Sequence, residues 1–322
     1  MRRRDVLALL GSAAIWPLPL AAQPRLPLIG VLVAGSAPRS RDFELTRELA
    51  QLGYKEGHNI SYDIRGADAE LDRLPALARD LVAKKPNVIV GSTTAPAFAL
   101  TAATRDIPIV MTVIGDPIAL GLTDSMSRPS RNLTGFTISS TSLAAKRLEL
   151  LRELVPAVRT VGYLWVPGNP LMKQFGDQVR RAGEALGIKL ISLPITSGAE
   201  IPAAFATMEN EKAQALLVEL DPLTVRFGGT IVDECIVRDL PAMHGWPADV
   251  HNGALMSYGP PVSENYPRTA IYVDRLLKGA KISELPFEEP TQVKLAINLR
   301  TAHSIGLTVP PALLVRADEV VE

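Results

Sequence analysis

The sequence predicts an α/β protein of two lobes, each built on a parallel sheet covered by helices on both faces. Three observations lead there. Short runs rich in β-branched residues are apolar continuously rather than alternately, as strands buried on both faces must be. Longer stretches with apolar residues at helical spacing separate those runs. The chain has 322 residues, beyond the roughly 250 at which one hydrophobic core usually divides.

The strands are read first at 28–33 (Leu-Ile-Gly-Val-Leu-Val), then at 88–90, 109–113, 160–165 (Thr-Val-Gly-Tyr-Leu-Trp) and 215–218. Helical period runs through 43–52, 71–83, 146–154 and 175–186, with Arg, Glu, Asp and Lys assigned to the outer face. The polar, turn-rich stretch Ser127-Arg128-Pro129-Ser130-Arg131-Asn132 divides a first βα series from a second that begins near Thr134 and is complete by Tyr258. The lobes are therefore expected at 28–135 and 136–258. Beyond them, Gly259-Pro260-Pro261 introduces a helix rich in Tyr and Arg, followed by Pro286 to Pro290 and a strand-like 294–298. That tail is too long for one more unit, so it is expected to cross back, about 260–285 completing the first lobe and 290–322 the second.

Composition narrows the function. There are 34 Lys+Arg against 34 Asp+Glu, which leaves no electrostatic footprint for nucleic acid. A lone cysteine, Cys235, excludes an internal disulfide and any zinc site of several thiolates. Its apolar neighbours Ile236 and Val237 suit a buried thiol.

The first 22 residues, MRRRDVLALLGSAAIWPLPLAA, read as an export signal: a basic start, an apolar stretch from Val6 to Leu20, and Ala21-Ala22 before Gln23. The run Arg2-Arg3-Arg4-Asp5-Val6-Leu7 resembles the twin-arginine motif. Leu20 is larger than a cleavage site prefers, which leaves an uncleaved anchor as the alternative. The expected location is the periplasm.

The informative chemistry lies at strand-to-helix turns. Ser92-Thr93-Thr94-Ala95-Pro96, Gly115-Asp116-Pro117, Pro167-Gly168-Asn169-Pro170 and Asp221-Pro222 each pair an N-cap residue with a nearby proline. At the carboxyl ends of parallel strands, such turns aim free backbone N–H groups into one crevice, which suits an anionic group such as a carboxylate. Asp116 and Asp221 are read either as caps or as partners of a ligand ammonium. Trp165 and Tyr258 close their strands, and either floor a pocket or pack at its rim.

Tests for catalysis fail. G-x-G-x-x-G is absent, Gly30-x4-Gly35 is followed by Ser36 rather than Lys, and neither G-x-S-x-G nor H-E-x-x-H occurs. His58, His244, His251 and His303 have no ligand-like spacing and read as loop or surface residues. No catalytic residue, cofactor or metal ligand is assigned.

Several stretches resemble the ABC transporter substrate-binding proteins of the tryptophan/tyrosine-binding type, a branch of the type I periplasmic binding proteins. The strongest is Ile297-Asn298-Leu299-Arg300-Thr301-Ala302 with Leu307-Thr308-Val309-Pro310-Pro311-Ala312-Leu313-Leu314-Val315-Arg316-Ala317-Asp318-Glu319-Val320. Others are Leu52-Gly53-Tyr54-Lys55-Glu56-Gly57-His58-Asn59, Gly115-Asp116-Pro117 with Gly121-Leu122, Lys146-Arg147-Leu148-Glu149-Leu150-Leu151 and Leu255-Met256-Ser257-Tyr258-Gly259. The chain departs from the family pattern at Pro129-Ser130-Arg131-Asn132 and at Asn252-Gly253-Ala254.

The resemblance implies two Rossmann-like lobes joined by a three-strand hinge, closing over a small-molecule ligand for delivery to an ABC permease in the inner membrane. It implies a pocket on loops at Ser36, Thr93, Thr94, Asp116, Ser139, Ser140, Thr141, Asn169 and Asp221. An amino-acid-like ligand, aromatic in many relatives, would set its carboxylate on Thr93-Thr94 and Ser139-Ser140-Thr141, its ammonium near Asp116 or Asp221, and its side chain by Trp165. The protein is expected to act as a monomer. A sensor module presenting the solute to a membrane receptor is the alternative, and an exported enzyme is a third reading that lacks a nucleophile or base.

Overall fold

A computed structural model describes residues 26–40, 43–138, 143–167, 170–290 and 292–322. The export segment therefore lies outside the described residues. The first layer runs β1 (Leu28–Val33), α1 (Glu44–Gln51), β2 (Ser61–Gly66), α2 (Leu74–Ala83), β3 (Val88–Ser92), α3 (Thr94–Ala103), β4 (Ile109–Ile114) and β5 (Leu133–Thr137). Its five strands pair in the order β2-β1-β3-β4-β5, all parallel. Continuous apolar runs place β1, β3 and β4 in the middle, where one face packs on Phe43, Leu45 and Leu49 and the other on Ala78, Leu81 and Leu100.

The second layer runs α4 (Leu143–Leu154), β6 (Thr160–Trp165), α5 (Pro170–Leu186), β7 (Lys189–Pro194), α6 (Ile201–Asn210), β8 (Ala215–Val218), α7 (Pro222–Arg226), α8 (Gly228–Val237), β9 (Ala242–His244), α9 (Ala248–His251) and β10 (Met256–Gly259). The chain then returns to the first layer through α10 (Asn265–Leu277), whose Ala270, Tyr272, Val273 and Leu276 pack with Ile29, Val31 and Phe136. It ends in the second with β11 (Lys294–Asn298), α11 (Leu299–Ser304), α12 (Pro311–Arg316) and β12 (Glu319–Val321). The seven strands of this sheet lie in the order β12-β11-β10-β9-β8-β6-β7, with β10 and β11 antiparallel and the rest parallel. The antiparallel pair follows from the route, because β11 enters from the other lobe rather than over a crossover helix.

Three connections join the lobes: β5 to α4, β10 to α10, and α10 to β11. The third is fastened to the first by backbone, Glu288 N donating to the Gly135 carbonyl at 3.0 Å and Thr137 N to the Glu288 carbonyl at 2.8 Å. The Glu288 side chain takes hydrogen bonds from Arg268 and Tyr272, both on α10. Burial works against its ionisation, yet those bonds and the Arg268 charge hold its carboxyl below the usual range. The Arg268 guanidinium also lies 4.6 Å over the Phe136 ring. These contacts tie the crossover strands into one unit while leaving the lobes themselves as separate cores.

Two readings change. Asp116 does not open a helix: Pro117 to Gly121 form a hydrogen-bonded turn, with Leu120 N on the Asp116 carbonyl at 3.1 Å, and Gly121 takes φ 67°, a left-handed conformation that ends helical continuation. His244 is no surface residue either; it is buried in β9, its Nδ1 3.0 Å from Asp249 Oδ2. His58, His251 and His303 are exposed. Cys235 is buried on α8, where burial pushes its thiol up to about 12 and makes it a poor nucleophile. No helix of the described residues is long and apolar enough to cross a membrane.

Candidate functional site

The carboxyl ends of the two sheets face each other, because the segments that follow them touch at two places. At one, Leu120 after β4 packs with Phe175 of α5 and Trp165 at the end of β6. At the other, Arg226 Nη1 on α7 donates to the carbonyl of Asp68 after β2. The ends of β1 and β3 lie between those points in the first sheet, and β8 lies beside β6 in the second. The strand ends between those contacts are where strand-end turns are expected to border a ligand crevice in a doubly wound sheet.

Thr93 and Thr94 divide their tasks. Thr94 is 2% exposed, and its Oγ1 accepts from Gly115 N at 3.1 Å, tying the β3 turn to the end of β4. It is structural. Thr93 is the N-cap of α3 but sits at φ 73°, an outlying conformation for a β-branched residue, and its side chain does not cap the helix. Its Oγ1 is enclosed and has no hydrogen-bond partner among the described residues. A strained residue with a sheltered, unused hydroxyl beside the free N–H groups of a ten-residue helix is a ready donor to an anion.

Both aspartates hold backbone. Asp116 is exposed, and its Oδ1 accepts from Ile118 N at 2.9 Å and Ala119 N at 3.0 Å. Asp221 is 3% exposed and caps α7, its Oδ1 accepting from Leu223 N at 2.9 Å while Thr224 Oγ1 accepts from Asp221 N at 3.0 Å. Trp165 is partly buried, donates Nε1–H to Ser192 Oγ at 2.9 Å, and stacks on Tyr163 with centroids 6.3 Å apart. That bond fixes the indole, leaving its ring between Tyr163 and the Leu120–Phe175 contact. Tyr258 is half-buried against the core of the second lobe. Ser36 is exposed and hydrogen-bonds to the Asp68 carboxylate. Ser139, Ser140, Thr141 and Asn169 lie outside the described residues.

Beneath the second-lobe side of the crevice is a charged cluster that spacing did not reveal. Arg147 of α4 and Glu219 after β8 are 5% and 3% exposed and pair at 2.9 Å. Arg147 Nε also donates to the Tyr258 carbonyl at 2.8 Å, and Nη2 to the Gly245 carbonyl at 3.4 Å. One guanidinium thus gathers the ends of β8, β9 and β10. The close approach of β9 and β10 there depends on Gly259, where a Cβ would stand 2.0 Å from the Gly245 oxygen. Tyr163 OH lies 3.4 Å from Glu219 Oε2, and burial followed by the Glu219 charge pushes its phenol well above the usual range. Each guanidinium nitrogen and both Glu219 oxygens thus meet protein groups, so the cluster braces these strand ends.

Two parallel-sheet lobes joined by three crossovers, with a free helix N-terminus among the facing strand ends, have the architecture of a two-lobed binding protein. The family model described as ABC transporter substrate binding protein matches residues 31–321, and the chain belongs to that family. Solved structures similar to it include a conserved domain protein from Vibrio cholerae O1 biovar eltor str. N16961, at TM-score 0.83 and 26% identity over 92% of this chain and 100% of that one. Another is an ABC domain in complex with L-Trp from Streptococcus pneumonia, at TM-score 0.81 and 27% identity, again over 92% and 100%. A tyrosine-binding protein of Clostridioides difficile (strain R20291) is 24% identical over 261 residues, 81% of this chain and 75% of that protein. The type I periplasmic binding protein fold and the solute-binding class follow from these matches.

Proposed function

We propose that the chain is the extracytoplasmic receptor of an ABC importer, taking an aromatic amino acid between its lobes and presenting it to an inner-membrane permease as a monomer. The observation that carries this reading is Thr93, whose sheltered hydroxyl stands at the α3 N-terminus between the two points of lobe contact. The ligand carboxylate takes the Thr93 hydroxyl and the α3 N–H groups, with Ser139, Ser140 and Thr141 as further donors. The side chain lies by Trp165. The ammonium is placed by Asp221 or Asp116, both of which also hold backbone N–H groups. Asn169 is the further polar partner assigned to the ligand in this reading. The names of the L-Trp complex and of the tyrosine-binding relative support an aromatic ligand. Residues 1–22 serve export by the twin-arginine route.

Closure follows from ligand contact with both lobes, since only a difference in affinity between open and closed forms shifts the population. A thermal-shift screen of the chain from Gln23 against the amino acids and small carboxylates tests the reading. An aromatic amino acid at about 100 times its Kd stabilises the protein by about 2.7 kcal/mol, or roughly 5 °C in a chain of this size. A flat response to every amino acid contradicts the reading and leaves other carboxylates as the class to search.

A further inference from the structure

The contact at Asp68 is made entirely of protein groups. On the first lobe, Asp68 and Ala69 take φ 55° and 64°, two successive non-glycine residues in the left-handed region. Their turn is held from below by Asp68 N on the Gly35 carbonyl at 3.0 Å and Ala69 N on the Ala34 carbonyl at 2.8 Å. It is held from the side by Arg73, whose Nη1 lies 2.7 Å from Asp68 Oδ2 and also donates to the Ala67 carbonyl at 3.3 Å. Hydrogen bonds from Arg73 and Ser36, with the nearby Arg226 charge, hold the Asp68 carboxyl below its usual range. The turn thereby aims the Asp68 carbonyl away from its own lobe.

On the second lobe, Arg226 is presented by α7 with its guanidinium carbon 5.5 Å from the centre of the Phe227 ring. Nη1 meets the Asp68 carbonyl across a sequence separation of 158 residues. Ala69 packs against the same apolar cluster that seats Phe227, adding a dry contact beside the polar one. This joint flanks the crevice at the ends of β2 and α7, while Thr93 follows the central β3 and Trp165 follows β6.

We propose that Arg226 and the Asp68–Ala69 turn form a latch that favours the closed arrangement whether or not a ligand is present. The latch then scales the affinity for every ligand of the crevice by one common factor and takes no part in choosing among ligands. The physical reason is linkage: observed affinity is the intrinsic affinity reduced by the fraction of molecules already competent to bind. A contact that raises that fraction strengthens all ligands alike. The affinity part of this inference rests on the proposed binding of a solute between the lobes, but the closing part does not.

The test uses the full chain with spin labels on Asp106→Cys and Asn210→Cys, one exposed position on each lobe. Native Cys235 is buried and stays unlabelled. Interlobe distances are measured without ligand in the otherwise native protein, in Arg226→Ala and in Arg226→Lys. The latch predicts a short-distance population that falls in Arg226→Ala and is partly restored in Arg226→Lys, since lysine keeps the charge but not the planar fork. In calorimetry, Arg226→Ala weakens L-tryptophan, L-tyrosine and L-phenylalanine by one shared factor, about three- to tenfold for an exposed charge-assisted bond. Identical ligand-free distance distributions in native and Arg226→Ala protein overturn the latch, as does a weakening that differs from ligand to ligand. If the distributions differ and no amino acid binds either protein, the latch stands and the proposed ligand class falls.

Discussion

Replacing Glu219 by alanine lowers the stability of the protein by about 3–5 kcal/mol, the expected cost of stranding one member of a buried ion pair. Arg147 would keep its two carbonyl acceptors, at 2.8 and 3.4 Å, yet lose the only carboxylate that meets it at 2.9 Å among the described residues. The charge cannot reach water, since Arg147 is 5% exposed. Tyr163→Phe serves as the comparison. Its hydroxyl makes one long bond of 3.4 Å to the same carboxylate, so that loss amounts to about 1 kcal/mol or less. Urea unfolding with both variants checks the pair: a Glu219→Ala loss below about 1 kcal/mol would show that the cluster is not the fastening of β8, β9 and β10 described above.

Thr93→Val separates binding from folding. Valine keeps the shape and the β-branched backbone demand at φ 73° and removes only the hydroxyl. That hydroxyl has no protein partner among the described residues, so stability changes by less than about 0.5 kcal/mol. If the hydroxyl donates to a ligand carboxylate, binding weakens by about 1.5–3 kcal/mol, roughly 10- to 100-fold in Kd. Calorimetric titration beside a thermal melt reads both. Thr94→Val reverses the pattern, because the Thr94 oxygen accepts from Gly115 N at 3.1 Å inside the fold. An unchanged Kd in Thr93→Val removes Thr93 from the carboxylate site.

How legible each part was depended on where it sits in the sheets. The central strands β1, β3, β4, β6 and β8 announce themselves because burial on both faces forces continuous apolar runs. The edge strands β2 and β7 do not. Ser61-Tyr62-Asp63-Ile64-Arg65-Gly66 is half-buried throughout, and Lys189 to Pro194 mixes exposed with buried positions, so neither carries the signature of a core strand. Arg147 was hidden for a different reason. It lies on the stripe of Ala144, Leu148, Leu151 and Leu154 at helical spacing, where an arginine reads as an interruption rather than a buried partner. Its carboxylate lies 72 residues away after β8, beyond the reach of any local pattern.

The turns show the same division. Asp221 was legible as a cap, since Asp followed by Pro and then Thr224 encodes the capping box that forms. Asp116 shares the first two features but has Ala119 at the position where Asp221 has Thr224, so no capping box can form, and Gly121 closes the turn instead. Sequence spacing identified Thr93 and Thr94 as a pair, but only the fold distinguishes the hydroxyl that holds β4 from the one enclosed without a partner among the described residues.

The central claim is that the ligand lies between the lobes with its carboxylate on Thr93. A crystal structure of the chain grown with saturating L-tryptophan tests it most directly. The account predicts one molecule in the crevice, its carboxylate on the Thr93 hydroxyl and the α3 N-terminus, its ring beside Trp165, and contacts from both lobes. A crevice without ligand at saturating concentration, or a tryptophan held by one lobe away from Thr93, would contradict it.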